Sequence, residues 1–266
     1  MNKHWFFLLV VVLNASFLMA NIVVVGALTH EDKADPGDSY TGVITIQNPE
    51  KSDQEVKVYQ SDYFFLSSGE VFYNDPATGE RSNAGWIEFS PKRLVIPANE
   101  LATVHYTVTV PKEKLIGTFW SMIMVEDIPE DSSESSQADP KEVALGIHQA
   151  FRYAVQMVTH VGQGGKKSIK FLQTNLVKEK DHVFLQLDVK NTGELWLRAN
   201  LWVEVFDLKG KPIGKFDGGK LRIYPETSVR YRVDLTGLSL NTYRALVIID
   251  AGNDTVFGAN LNLEIK

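Results

Sequence analysis

Hydrophobic and polar residues alternate with a period of two along most of the chain. The alternating segments are short, and Pro, Gly, Asn and Asp residues separate them, as at 42–48 and 104–110 in the first half and at 184–191 and 229–235 in the second. This is the pattern of β-strands joined by turns. We find no clear amphipathic helix after residue 20, so the sequence predicts an all-β protein.

One order of segments occurs twice along the chain. In the first half an apolar segment runs into a Pro turn, and an alternating segment and an aromatic-led apolar segment follow, at 93–100, 104–110 and 118–127. The second half repeats this order at 221–226, 229–235 and 242–250. A repeated order of short strands predicts two immunoglobulin-like β-sandwich domains in tandem.

Composition along the chain suggests the domain boundaries. We predict a signal peptide at 1–20, a first domain at 21–162, a Gly-rich hinge at 163–167 and a second domain at 168–266. Within the first domain, 128–141 is rich in Ser, Glu and Asp and is predicted to be a mobile acidic loop. A second stretch, 69–85, is polar and rich in turn residues and is predicted to be an insertion.

The first twenty residues have the features of an export signal. Lys3 and His4 precede an almost wholly apolar stretch at 5–13, and Ala20 is a suitable last residue before cleavage. The alternative is a retained membrane anchor. No later segment approaches the roughly 20 apolar residues of a spanning helix. We therefore expect export to the periplasm or cell envelope, without stable membrane insertion once the signal is cleaved.

Charge and cysteine content exclude several kinds of function. The formal net charge is −6, which argues against a nucleic-acid partner, because such a surface needs basic residues to displace counterions. The chain has no cysteine, and this rules out disulfides, thiolate metal sites and a Cys nucleophile.

The residues that carry catalysis or bind metals are scattered. Histidines never occur at the i, i+4 spacing of a helical metal site, no Ser lies in a Gly-x-Ser-x-Gly motif, and no Asp-rich calcium loop is present. The sequence therefore predicts no enzyme activity, no metal and no cofactor. The glycines near residue 164 lack the spacing of a phosphate-binding loop.

The segment 147–161 is the candidate binding strand. Its apolar residues alternate with polar ones, and we expect it to lie along a sheet edge or cleft and to pair with a strand of a partner. The predicted contact residues are Ile147, Phe151, Arg152, Tyr153, Val155 and Met157. The alternative is that the apolar ones are ordinary core. Arg152 is interpreted either as a solvated cation or as an anchor for a carboxylate.

Four aromatic residues allow a second hypothesis, which is stacking on a carbohydrate. They are Trp86, Phe89, Phe119 and Trp120. Core packing is the simpler interpretation. Because Phe119 and Trp120 are neighbours in a predicted strand, we expect one of them to point inward, which leaves the other as the candidate for a surface position.

The residues of the first half resemble a known group of proteins. The run 89–126, with its Pro turn at Pro97 and its strand led by Phe119 and Trp120, is similar to the first domain of periplasmic pilus-assembly chaperones of the PapD-like superfamily. The resemblance continues through 147–161. The segments 39–42 and 151–156 are also similar to WxL-interacting proteins of Gram-positive cell surfaces.

The resemblance implies a function in binding. It implies a non-catalytic, chaperone-like protein that binds an envelope or pilus-like subunit by strand addition. Pilus chaperones carry a basic residue in the first strand that grips the subunit's terminal carboxylate, whereas 22–28 contains none. The alternatives are an adhesion or scaffold protein for cell-wall glycan or a surface protein, and an accessory module of an envelope hydrolase.

Overall fold

The computed structural model describes residues 22–129 and 150–266, which form seventeen β-strands and one short 3-10 helix. The strands make two β-sandwiches in sequence, so the predicted fold class is confirmed. The predicted signal peptide lies outside the described residues, as does the acidic loop from Glu130 onward. In the described ranges we find no helix of the length and apolarity that crossing a membrane requires.

The first sandwich contains the strands β1 to β10. Its strands are β1 (Val23–Val25), β2 (Thr29–Ala34), β3 (Ser39–Gln47), β4 (Gln54–Phe65), β5 (Val71–Asn74), β6 (Ile87–Ser90), β7 (Arg93–Ile96), β8 (Leu101–Thr109), β9 (Gly117–Ile128) and β10 (Arg152–Val161). One sheet has the order β1-β3-β8-β6 and the other β2-β10-β9-β4-β5, with β7 also paired to β4. The predicted insertion at 69–85 thus contains a strand, β5, and the start of the 3-10 helix Ala84–Trp86.

The second sandwich contains the strands β11 to β17. They are β11 (Ile169–Glu179), β12 (His182–Asn191), β13 (Leu197–Phe206), β14 (Pro212–Ile223), β15 (Ser228–Asp234), β16 (Asn241–Asp250) and β17 (Val256–Ile265). The sheet orders are β11-β12-β15 and β14-β13-β16-β17.

Alternation places one apolar row of each strand in the space between two sheets. In the first sandwich Ile44 and Val104 from one sheet pack in the same cluster as Ile123 from the other. In the second, Leu187 and Val203 do the same. Truncating such a residue to Ala typically costs about 2–5 kcal/mol, so these rows fix the strand registers.

Strand β9 departs from alternation, because every one of its twelve residues is buried. Its inner row, which includes Phe119, faces the first sandwich. In its outer row, Trp120 lies against Tyr224 of the second sandwich, whereas Glu126 is covered by Tyr59 and Arg152 of the same sheet. Phe119 and Trp120 are therefore both buried, as the core-packing interpretation has it, and neither is the exposed ring that the carbohydrate hypothesis needs.

The segment that joins the sandwiches is held by hydrogen bonds. The Glu194 N–H donates to Lys166 O at 2.7 Å, and the Lys166 N–H donates to the Glu194 carboxylate at 2.8 Å. A Cβ on Gly193 would lie 2.3 Å from Lys166 O, so only glycine allows the two segments to approach this closely. The segment 163–167, which we predicted to be a hinge, is thus attached to the second sandwich at Lys166.

The same buried asparagine corner occurs in each sandwich. The side-chain amide of Asn48 donates to Ile96 O at 2.9 Å, and that of Asn191 donates to Ile223 O at 3.0 Å. Each Asn side-chain oxygen accepts a backbone N–H two residues later, from Glu50 in one case and Gly193 in the other. The corner joins the end of β3 to the end of β7 in the first sandwich, and the end of β12 to the end of β14 in the second. The repeated order of segments in the sequence therefore corresponds to a repeated structural contact.

We predict that both corners are needed for stability. Asn48→Asp and Asn191→Asp keep the shape but lose the amide donors, which leaves buried carbonyls without partners, so each should lower the free energy of unfolding by at least about 2 kcal/mol. Urea unfolding followed by circular dichroism measures this. The exposed Asn175→Asp is the control and should change stability by less than about 0.5 kcal/mol. Corner variants as stable as the control would contradict the assignment.

Candidate partner-binding site

Strand β10 lies between β9 and β2, but β2 covers only part of it. Strand β9 pairs with β10 along its whole length, from Arg152 to Val161. Strand β2 runs parallel to β10 and pairs only from Gln156 to Val161. In the described parts of the chain, no strand pairs with the outer side of β10 between Arg152 and Val155. We call this stretch the open edge of β10.

The backbone direction along the open edge follows from a single hydrogen bond. The Gln156 N–H donates to Leu28 O at 2.8 Å, so this peptide points away from β9. Because a strand repeats every two residues, the N–H and C=O groups of Ala154 and Arg152 point the same way. Phe151 points the opposite way, toward β9, since its C=O accepts the Asp127 N–H. The open edge therefore presents the backbone groups of Arg152 and Ala154.

The predicted contact residues do not share one environment. Val155 and Met157 belong to the core of the first sandwich, with exposed fractions of 0% and 1%, and Tyr153 packs partly against the same core. Phe151 is half-buried just before the strand, and Ile147 lies outside the described residues. This corrects the expectation that the apolar row faces an edge or cleft: it faces inward, because the sheet packs on β1-β3-β8-β6.

Arg152 already binds a carboxylate of this chain. Its Nε donates to Glu126 Oε2 at 2.7 Å, and Tyr59 donates to the same oxygen at 2.6 Å. Lys57 Nζ lies 3.4 Å from Glu126 Oε1. Burial alone would raise the pKa of Glu126, but the hydrogen bonds from Arg152 and Tyr59 and the charge of Lys57 outweigh burial and lower it. Arg152 therefore braces β10 against β9, and its Nε donor is engaged by Glu126 of this chain rather than by a carboxylate of a partner.

Three donors converge on one side-chain oxygen at the inner end of the open edge. Gln156 Oε1 accepts from Thr29 Oγ1 at 3.1 Å, from Arg222 Nη1 at 3.0 Å and from Tyr224 Oη at 3.0 Å. Burial raises the pKa of Tyr224 to about 12, so its phenol stays protonated and donates. The donors come from β2 and from the second sandwich, so this cluster forms only where the sandwiches meet.

Aromatic rings surround the donor cluster. Tyr224 stacks on Trp120 with ring centroids 4.8 Å apart, and Trp196 lies 5.4 Å from Tyr224. The Arg222 guanidinium lies over the Trp196 ring at 4.7 Å. Such packing excludes water from one side of the guanidinium and fixes its direction. Periodicity in the sequence does not predict this cluster, because Arg222 lies 66 positions after Gln156 and Thr29 lies 127 positions before it.

A second polar contact joins the sandwiches beside this cluster. Glu31 on β2 accepts from Arg198 of the second sandwich at 2.5 Å and lies 3.0 Å from His160 Nε2. His160 Nδ1 lies 3.0 Å from Thr118 Oγ1, which accepts the Trp196 N–H at 2.9 Å. The Thr118 hydroxyl is then free to donate to Nδ1, and Nε2–H donates to Glu31, so the network fits a neutral imidazole.

Basic residues line the cavity next to this network. The cavity is about 790 Å³ and its cationic side chains come from Lys33, Lys167, Arg198 and Lys220. Within the described ranges, no group of three or more His, Cys, Asp or Glu side chains is placed to hold a metal ion.

Comparison with known proteins gives a likeness of fold. No protein-family model matches the sequence, and no curated protein matches it significantly. Among solved structures, the class 5 fimbriae chaperone CfaA is 14% identical, with a TM-score of 0.48 over 91% of this chain and 98% of that one.

Two chaperones solved as complexes are similar to the same extent. CsuC, in the CsuC–CsuE chaperone–tip subunit complex of Acinetobacter baumannii, gives 14% identity and a TM-score of 0.46 over 91% of this chain and 98% of that one. The Salmonella enterica SafA pilin–SafB chaperone complex gives 13% and 0.42 over 91% and 97%. All three structures contain chaperones of fimbriae or pili. Because their TM-scores are below 0.5, the functional assignment depends on the geometry described above.

We predict that acidification weakens the contact between the sandwiches. Burial lowers the pKa of His160 and outweighs the attraction of Glu31, while Lys33 and Arg198 lower it further. The protein with its sandwiches docked then binds fewer protons than the protein with its sandwiches apart. The contribution of His160 to the stability of docking is therefore fully present above the ordinary His pKa of about 6.5 and is lost as the pH falls below it.

Urea unfolding at about pH 7.5 and about pH 5.5 tests this expectation. In His160→Gln, the amide can accept a hydrogen bond from Thr118 and donate one to Glu31, but it does not titrate. The free energy of unfolding of this variant should therefore depend less on pH than that of wild type. His182→Gln, at an exposed site, should keep the wild-type slope. Equal slopes for wild type and His160→Gln would show that His160 does not couple pH to docking.

Proposed function

We propose that this chain is an exported, non-catalytic, chaperone-like protein that binds a subunit of an envelope or surface structure. The partner adds an extended strand to the open edge of β10. The main observation behind this proposal concerns the open edge of β10. There the backbone N–H and C=O groups of Arg152 and Ala154 point away from β9, and β2 does not extend far enough to pair with them. Unpaired edge groups are the usual site of strand addition.

The buried side of β10 supports this proposal. Val155 and Met157 hold the strand from the core, and Arg152 is held by Glu126. The edge is therefore rigid before a partner arrives, and binding costs little ordering entropy. In this proposal the backbone supplies most of the affinity, and the half-buried side chains of Phe151 and Tyr153 flank the added strand.

The donor cluster suggests how the added strand ends. The Arg222 guanidinium is half-buried, and no carboxylate of the described residues lies within ion-pair distance of it, in contrast to Arg198 and Arg230. Gln156 supplies only a neutral oxygen to three donors. We propose that the C-terminal carboxylate of the partner replaces the Gln156 oxygen there, because a carboxylate makes stronger hydrogen bonds to guanidinium.

Carbohydrate binding through the predicted aromatic residues receives no support. Phe119 and Trp120 are buried, and Trp86 and Phe89 pack partly against the core. A ring that packs in a core cannot present its face to a sugar.

The first test removes the outward backbone N–H of residue 154 and leaves the backbone hydrogen bonds between β9 and β10 intact. A partner is identified by capture from envelope extract, and its affinity for Ala154→Pro and Ala154→Val is measured by calorimetry. Proline removes the outward N–H, which an edge strand tolerates, whereas valine keeps it. We expect Ala154→Pro to bind about three- to tenfold more weakly than Ala154→Val, with similar melting temperatures. Equal affinities of the two folded variants would exclude strand addition here.

The second test concerns the carboxylate. Peptides that match the partner's C-terminus are compared as the free acid and as the amide. We expect wild type to prefer the acid by about tenfold, and Arg222→Gln to lose most of that preference. Lys220→Gln, an exposed cation on the same strand, is the control and should keep it. A preference that persists in Arg222→Gln would place the carboxylate elsewhere.

A further inference from the structure

Strand β5 forms a second open edge, at the opposite side of the sheet from β10. The sheet order is β2-β10-β9-β4-β5, and β5 pairs only with β4 in the described ranges. The Leu66 N–H donates to Glu70 O, so Glu70, Phe72 and Asn74 point toward β4. By the two-residue repeat, the N–H and C=O groups of Val71 and Tyr73 point outward.

The side chains of this edge are apolar on both faces. Val71, Phe72 and Tyr73 have exposed fractions of 47%, 40% and 54%. The strand itself carries neither Lys nor Pro, the residues that usually protect an edge from pairing. Three consecutive exposed apolar residues on an unprotected edge are typical of a protein interaction site.

The hairpin that carries β5 is rigid. On one face Tyr73 packs on Tyr63 at 5.6 Å, and on the other Phe72 packs on Phe64 at 6.4 Å. Its tip is fixed to the second sandwich, because the Ser67 N–H donates to Ser228 Oγ at 2.9 Å.

The loop that follows is also held. The buried carboxylate of Asp62 accepts the backbone N–H groups of Ala77, Thr78 and Gly79 at 2.8–3.2 Å. A preformed edge loses little conformational entropy when a strand is added to it.

The charge around this edge is negative. Glu70 and Asp75 immediately flank β5. Between the hairpin and the second sandwich lies a cavity of about 420 Å³, lined by Tyr63 and Trp120 together with Glu80, Glu194 and Glu226, with Arg81 as its cation. The β10 side of the junction has the opposite charge, since its cavity is lined by several Lys and Arg residues.

We propose that β5 is a second docking edge, which adds an extended partner segment that alternates apolar and basic residues. The outward backbone groups of Val71 and Tyr73 pair with it, and its apolar side chains cover Val71 and Tyr73. Its Lys or Arg side chains lie on the opposite face and toward the ends of β5, where they meet Glu70 and Asp75. Two strands separate β5 from β10, so both edges accommodate partners at once. The proposal does not depend on binding at β10.

Short synthetic peptides test the proposal directly. An acetylated, amidated peptide of alternating Lys and Val is compared with one of alternating Glu and Val, using amide chemical shifts of the full chain. We expect the Lys peptide to perturb and protect the Val71 and Tyr73 amides, and the Glu peptide to have no effect. Tyr73→Pro should bind about three- to tenfold more weakly than Tyr73→Val, which keeps the N–H.

Charge reversal and self-association complete the test. Glu70→Lys combined with Asp75→Lys should shift the preference toward the Glu peptide. Equal binding of both peptides, or of Tyr73→Pro and Tyr73→Val, would overturn the proposal. Sedimentation velocity tests whether a second copy of this chain occupies the edge instead. If Tyr73→Val forms a dimer and Tyr73→Pro does not, the edge binds a second copy, and this result would also overturn the proposal.

Discussion

The indole ring of Trp120 stacks on the phenol ring of Tyr224, 4.8 Å from centroid to centroid, and this contact joins the outer face of β9 to the second sandwich. Burial of two large aromatic rings is worth several kcal/mol at about 25 cal/mol per Å². With the second sandwich held there, Arg222 reaches Gln156 and Arg198 reaches Glu31. The polar contacts of the junction therefore depend on the aromatic one, because they form only when the sandwiches are docked.

Docking leaves the two ends of the same sheet in different chemical surroundings. Near β10, an open stretch of backbone ends at donors without an acidic partner in the described residues. Near β5, an apolar edge lies between acids. A partner strand at either edge extends a sheet whose central strand, β9, is buried on both faces. The rigidity that favours binding thus comes from the centre of the sheet.

The fold was predictable to the extent that alternation reports burial. Strands buried on one face, such as β8 and β13, follow the pattern closely. Strand β2 has the sequence Thr-His-Glu-Asp-Lys-Ala and no apolar row, because its outward residues include Glu31, which pairs with the second sandwich. The sequence analysis did not predict β5 for a related reason. Apolar residues lie on both of its exposed faces, so its residues do not alternate between apolar and polar.

The candidate site was predictable only as a strand. The sequence indicated β10 as the binding strand, but the two-residue repeat cannot tell which row faces inward. Val155 and Met157 were therefore expected at the surface and lie in the core. The contact between Arg222 and Gln156 could not be predicted, because local periodicity gives no information about contacts between residues that lie far apart in the sequence. In the asparagine corners, Asn48 precedes its partner Ile96 by 48 residues and Asn191 precedes Ile223 by 32. The first sandwich is 16 residues longer between equivalent points, and that interval holds β5. The acidic, aromatic hairpin is thus an insertion into a plan that both sandwiches share, and the second sandwich, whose own plan lacks it, holds its tip through Ser228.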